Sequence, residues 1–313
     1  MNAAHLALAL LIDLIWGLNS VVAKIGVDAV PPMMFMALRF AVVLALLFPF
    51  LRWKQGEMGT ILSIAVMGGI LNFAFAFWGL RLSNASISSV IGQLNAPFAT
   101  LLSIVFLKEV VHWRRWVGMG LAFGGVVWLG FDPEVLDMRI GAWLTVAAAL
   151  VMSIAQVQMR QLKDVGVFEL QAWIALLCAP GLFLMSLAVE EGQWPALQAA
   201  SWPVLGAVVY NALLAGIVGQ GGMYFLLRRH DVALVTSLFL IAPIFAVIFG
   251  VWLLGEPMSA RILIGSAVTL AGVFIIALRQ GHAPIVAIAP APGALEPVSL
   301  SDAEELKERD KAP

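Results

Sequence analysis

The sequence predicts an all-α membrane protein of ten transmembrane helices, arranged as two inverted five-helix repeats with both termini in the cytoplasm. Three observations carry this: a composition too apolar for water, ten hydrophobic segments of spanning length, and a duplication with an odd number of spans in each copy. Of 313 residues, 62% are hydrophobic and 12% charged, and the mean hydropathy is +0.97; soluble domains carry about 25% charged residues. Lys and Arg number 18 against 19 Asp and Glu, a net charge of −1, so the chain lacks the basic surface that nucleic-acid binding needs. The single cysteine, Cys178, excludes an intrachain disulfide and any cysteine-cluster site. His5, His112, His230 and His282 show no ligand spacing, so neither a metal nor a cofactor is expected.

A hydrocarbon core about 30 Å thick takes roughly 20 apolar residues per helix, and the chain divides at its charged and Gly/Pro-rich punctuation. The first segment, Ala4 to Ala23, stops at Lys24. It has no basic leader and a second span follows closely, so it reads as a retained helix and not a signal peptide. Pro32 to Leu51 runs from a proline pair to Arg52 and Lys54. Thr60 to Leu80 ends at Arg81, Ala85 to Leu107 at Lys108 and Glu109, and Trp113 to Gly130 at the acidic loop Asp132 to Asp137. In the second half, Ile140 to Gln158 precedes Arg160 and Lys163, and Phe168 to Val189 precedes Glu190 and Glu191. Val204 to Leu227 precedes Arg228 and Arg229, Val232 to Leu254 precedes Glu256, and Ala260 to Leu278 precedes Arg279. Residues 280–313 are Ala/Pro-rich and then charged. They are expected to form a disordered cytoplasmic tail in which Ser301 with Glu304 could cap a short helix.

With the N-terminus inside, only Lys24, Arg81, Arg139 and Arg261 fall outside, and Arg39 falls within a span; the other basic residues are cytoplasmic. This positive-inside bias sets the orientation. Placing the fourth and fifth spans on the ninth and tenth at one constant offset pairs Leu107 with Leu254, Glu109 with Glu256, Arg114 with Arg261, Gly118 with Gly265 and Gly125 with Gly272. One residue of slippage puts Ala96 and Pro97 on Ala242 and Pro243. Residues 1–130 and 139–279 therefore form the two repeats, and five spans per repeat invert the second against the first. Each mid-span proline frees a carbonyl one turn earlier, which is tolerated in a membrane only where protein, water or solute can satisfy it. Inverted repeats with helices interrupted at matching places point to a secondary transporter whose site lies near the midplane.

Trp16, Gly17 and Asn19, then Lys24, then Pro31, Pro32 and Arg39 with Phe40, resemble the EamA-type family of the drug/metabolite transporter superfamily. The resemblance extends to Glu109 and Glu256 with the glycines Gly118, Gly125, Gly265 and Gly272, and covers about residues 6 to 278. It implies an exporter of small metabolites, often amino acids and their derivatives, working by alternating access in the bacterial inner membrane. The resemblance alone gives the outward direction. Asp13 departs from the apolar stretch expected before that tryptophan.

Charges at membrane depth cost at least about 2.5–3.5 kcal/mol, so those present normally face a cavity or a partner. Asp13 shares a helical face with Gly17, Ser20 and Lys24, with Trp16 alongside; it could bind a coupling proton or a substrate ammonium, or bond a neighbouring helix. Arg39 could take a substrate carboxylate or bond loop carbonyls. Ser86, Ser89, Gln93, Pro97 and Thr100 form one expected stripe, with Asn95 beside it. Gln156, Tyr210, Gln220 and Tyr224 are candidate hydrogen-bonding groups, and Trp16 and Trp78 candidate walls. The predicted substrate-binding or coupling set is thus Asp13, Trp16, Asn19, Arg39, Trp78, Ser89, Gln93, Asn95, Gln156, Tyr210, Gln220 and Tyr224, hinged at Pro97 and Pro243. Expected partners are a small-molecule substrate and membrane lipids, and a monomer suffices for one internal site. A flippase for lipid-linked sugars is the alternative; an enzyme is not expected, because the acids within the spans reduce to Asp13. Proton exchange and gradient-driven flux both stay open.

Overall fold

The computed structural model describes residues 3–107, 112–132, 138–159, 161–162, 164–227, 229–230, 235 and 238–277. The chain divides into a unit of residues 1–283 and a unit of residues 284–313. The predicted tail, Glu109, Arg160 and most of the segment predicted to open the ninth span lie outside the described residues.

Among the described residues all regular structure is helical. Eight helices are long and apolar enough to cross a membrane: Ala3–Ala29, Pro32–Phe50, Met58–Arg81, Ala85–Phe106, Arg139–Met159, Val167–Val189, Trp202–Met223 and Ala260–Ala277. A shorter apolar helix covers Phe239–Leu254, and Trp113–Leu129 is helical over 17 residues. In chain order the α-helical elements are α1 (Ala3–Ala29), α2 (Pro32–Leu47), α3 (Met58–Ile64), α4 (Asn72–Arg81), α5 (Ala85–Gly92), α6 (Asn95–Leu107) and α7 (Trp113–Leu129). They continue with α8 (Arg139–Met159), α9 (Val167–Val189), α10 (Gln193–Gln198), α11 (Trp202–Tyr210), α12 (Gln220–Leu227), α13 (Ala242–Leu254) and α14 (Ala260–Ala277).

Four interruptions shape the long helices. A π-helical stretch, Ala65–Leu71, joins α3 to α4, and a second, Asn211–Gly219, joins α11 to α12; such insertions concentrate at functional sites. Helices α5 and α6 part at Gln93 and Leu94, one turn before Pro97. Lacking the proline N–H, the Gln93 carbonyl accepts instead from Ala96 at 3.2 Å. The corresponding segment ahead of Pro243, Phe239–Ile241, is a 3₁₀ turn that leads into α13.

α1 runs two turns beyond its expected end at Ala23. Lys24 sits half-buried and donates to the carbonyls of Leu80 and Arg81 at 3.1 and 2.9 Å while pairing with Asp28 at 3.0 Å, so its charge is satisfied without ending the helix. α2 starts at Pro32, and its exposed amides are capped from across the molecule. Met33 and Met34 donate to the Glu190 carboxylate at 2.9 and 3.3 Å, and Ser186 donates to the same group.

With lipid outside there is no water-driven collapse between helices, and close packing of small residues holds them together. α7 lies against α14 through Gly118, Gly125, Gly265 and Gly272; a Cβ at Gly272 would run into the Ala122 amide and the Gly118 carbonyl. α4 meets α8 where Gly79 faces Thr145 and Gly141, and α1 crosses α13 where Gly17 faces Ala242 to Ala246. α2 and α9 pack side by side in the largest apolar cluster, around Phe35, Phe40, Ala175 and Leu182. Large apolar side chains cover the outside, and Trp53, Trp143, Trp202 and Trp252 are exposed near helix ends, as in the aromatic belts of membrane proteins.

Candidate functional site

A cavity of about 210 Å³ opens between the second half of α1, α4, α5 and the first half of α8. Its polar lining is Asn19, Ser20, Asn72, Ser88, Ser89, Asn95 and Thr145, and its apolar lining includes Phe77, Leu80, Ala148 and Met152. Among the described residues, no ionisable side chain lines it. The chemistry offered is therefore that of amides and hydroxyls beside an aromatic face, which suits a small solute with hydrogen-bonding groups and an apolar portion.

Local structure sets these groups. Asn72 follows the π-helical stretch, and its amide donates to the Gly68 carbonyl at 3.3 Å. Asn19 accepts from the Asn211 amide at 2.9 Å, which ties the cavity wall on α1 to the second π-helical stretch. The break before Pro97 turns the helix so that Asn95 joins Ser88, Ser89 and Gly92 on the cavity side. The stripe expected from spacing alone is shared out differently. Ser86 donates to Glu256, Thr100 turns back to the Ala96 carbonyl, and Gln93 lies in the break.

Of the predicted set, Asn19, Ser89 and Asn95 line this cavity. Asp13 is fully buried one turn before Gly17, where α1 crosses the start of α13, and neither carboxyl oxygen has a hydrogen-bond partner. Trp16 donates from Nε1 to the Ala215 carbonyl at 3.1 Å and packs on Phe239 with ring centroids 5.1 Å apart. Tyr210 donates to the Ile15 carbonyl at 2.9 Å. Arg39 lies over the rings of Phe40 and Phe73 at 4.9 and 4.8 Å, with Nε buried and unpartnered. Phe73 in turn packs on Phe77, which lines the cavity, while Arg39 itself does not. Trp78 is half-buried against the α2–α9 cluster, and Gln156 and Gln220 are half-buried away from the cavity lining. The Tyr224 side chain lies outside the described residues.

Ser20, Asn72, Ser88 and Thr145 were not in the predicted set. Asn72 carried a usable signal, a lone amide within an apolar span one turn after Gly68 and Gly69. Thr145 carried none, because only the packing of α4 on α8 brings it to the site. Toward the opposite end of α1, Ala9, Ile12, Leu226 and Val235 form a separate apolar cluster, with Trp16, Phe225 and Phe239 packed against it.

The sequence pattern of the EamA-like transporter family matches residues 4–131 and again residues 139–278. The chain belongs to that family. Among similar proteins is the "Probable amino-acid metabolite efflux pump" of Escherichia coli (strain K12), 27% identical over 278 residues, covering 86% of this chain and 93% of that protein. An "Uncharacterized transporter" of Archaeoglobus fulgidus is 26% identical over 294 residues, covering 90% and 99%. A solved crystal structure shares the fold with a TM-score of 0.60 at 20% identity, covering 88% of this chain and 96% of its own. Family membership with eight spanning helices makes the protein a multi-pass transporter of the bacterial inner membrane.

Proposed function

We propose that the protein is a secondary exporter of amino acids or related small amphipathic metabolites, built as ten spans in two inverted five-helix halves that rock around the cavity. The observation that carries this is the matched placing of the irregularities. Ala65 and Asn211, which open the π-helical stretches, Gln93 and Phe239 at the helix breaks, and Pro97 and Pro243 are all separated by the same number of residues. The helix packing follows the same exchange: α7 pairs with α14, α2 with α9, and the contacts of α1 with α11 to α13 have counterparts in those of α8 with α4 to α6. Irregular backbone at matching depths in the two halves is where alternating-access transporters hold their solutes.

In the orientation with both termini cytoplasmic, the cavity lies in the outer half and the plug around Ile12 and Leu226 in the inner half, an outward-facing arrangement. A space of about 210 Å³ admits an amino acid and is too small for a lipid-linked sugar. The function is carriage and not catalysis. Asp13 is the candidate coupling group: a carboxyl with no partner, at the crossing of α1 and α13, is placed to exchange a proton when the halves move. Proteoliposomes loaded with a labelled amino-acid panel test both parts. Wild-type flux is expected to saturate and to respond to an imposed pH gradient, and Asp13→Asn is expected to keep downhill flux while losing that response. A response unchanged in the variant returns Asp13 to a structural role. Absence of flux for every amino acid, from protein shown to be folded and inserted, rules out the substrate class.

A further inference from the structure

The inner plug carries a polar lid. His5, one turn before Ala9 on α1, places Nδ1 2.7 Å from Nε2 of His230, with ring centroids 4.9 Å apart. His230 is aimed there by the turn that ends α12: the amides of Arg229 and His230 both donate to the Leu226 carbonyl at 3.0 Å. Phe225 supports the pair from below, edge-on to His5 at 5.6 Å and under the Arg229 guanidinium at 3.8 Å. Leu226 and Phe225 belong to the plug itself. The contact thus joins α1 to the end of α12 directly above the apolar residues that close the pathway.

We propose that the His5–His230 contact is the latch of the inner closure, and that it releases when both imidazoles are protonated. This rests on the reading of α1 and α12 as parts of two halves that separate. An imidazole pair keeps its N–H···N bond with no added proton or with one, because one nitrogen can still accept; with two, both facing nitrogens are donors and the bond is lost. The described groups around His230 resist its protonation. His230 is held below the ordinary histidine value, first by desolvation and then by His5, the amino terminus and Arg229, all of them cationic when charged. Among the described residues, no carboxylate is one of the groups acting on it; Arg228 and Asp231, its neighbours in the chain, lie outside the described residues. A group disfavoured from charging in the closed form stabilises that form above its titration and ceases to do so as pH falls through it. The latch is therefore closed at neutral pH and opens in acid, with the ratio of closed to open changing by up to about tenfold per pH unit for each proton taken up.

The test uses the full chain in nanodiscs, with spin labels at Ala4→Cys and Gln161→Cys in a Cys178→Ser background. Their separation, measured by pulsed electron resonance from pH 8 to pH 5, is expected to gain a longer population in acid. His5→Phe and His230→Phe should abolish that pH dependence, and His5→Gln, which can still hydrogen-bond His230, should leave the short distance in place at both ends of the range. A separation that does not change with pH in the unsubstituted pair overturns the latch, as does an undiminished response in folded His5→Phe and His230→Phe. Because the readout is a distance, acid widening without any measurable flux would refute the transport reading and leave the latch standing.

Discussion

Glu256→Ala is expected to destabilise the protein by about 3 kcal/mol, read as a lower midpoint of thermal unfolding in detergent. The buried Glu256 carboxylate reaches from the turn between α13 and α14 to the first turn of α5. It accepts from the amides of Ala85 and Ser86 at 2.6 and 3.0 Å and from the Ser86 hydroxyl at 2.5 Å. Gly255, in the left-handed region at φ 64°, makes the turn that allows it, and a Cβ at Gly250 would occupy the same space. Hydrogen bonds to a charged acceptor contribute about 1.5–3 kcal/mol each, and removing the acceptor leaves two buried N–H groups unpaired. Glu256→Gln keeps one acceptor oxygen and should fall between the two. An unchanged midpoint in Glu256→Ala would mean that these amides find water and that the cap carries no stability.

Filling the cavity should separate transport from folding. Ser89 lies on α5 facing Asn19, Asn72 and Thr145 across the site, and an indole introduced by Ser89→Trp would take up much of the space of about 210 Å³. Because that space is already open, the variant should fold with a midpoint near that of the wild type. Its flux should fall by about tenfold or more, equivalent to about 1.4 kcal/mol of lost binding or access. Flux at the wild-type level in a folded Ser89→Trp protein would place the pathway elsewhere.

The long helices were legible because a bilayer demands length and apolarity, which a single sequence displays. Their ends and interruptions were less so. Lys24 reads as a stop, yet α1 passes it because two carbonyls of the last turn of α4 and Asp28 accept its ammonium. Pro97 and Pro243 announced their breaks. The π-helical stretches have no proline; Gly69 and Gly216, which sit against Cys178 and Arg39, allow the close approach there, and that is a property of assembled helices. The cavity lining was legible in part, in Asn19, Ser89 and Asn95, polar residues within apolar spans. Spacing along an unbroken helix put Ser86 and Thr100 on the Ser89 face, whereas Glu256 and a backbone carbonyl take up their hydroxyls. The His5–His230 contact spans 225 residues of sequence, and two isolated histidines gave no sign of it.

A transported solute is expected to occupy the cavity between α1, α4, α5 and α8 while it is open to the outer face. Ser20→Cys, in a Cys178→Ser background, places a thiol in that lining. Its reaction with a membrane-impermeant maleimide in spheroplasts, with and without a transported amino acid, reports on occupancy of this cavity. Labelling is expected from the outer face and should slow as the amino acid saturates the site. Labelling only from the cytoplasmic face, or a rate indifferent to a solute that the same preparation transports, would contradict it.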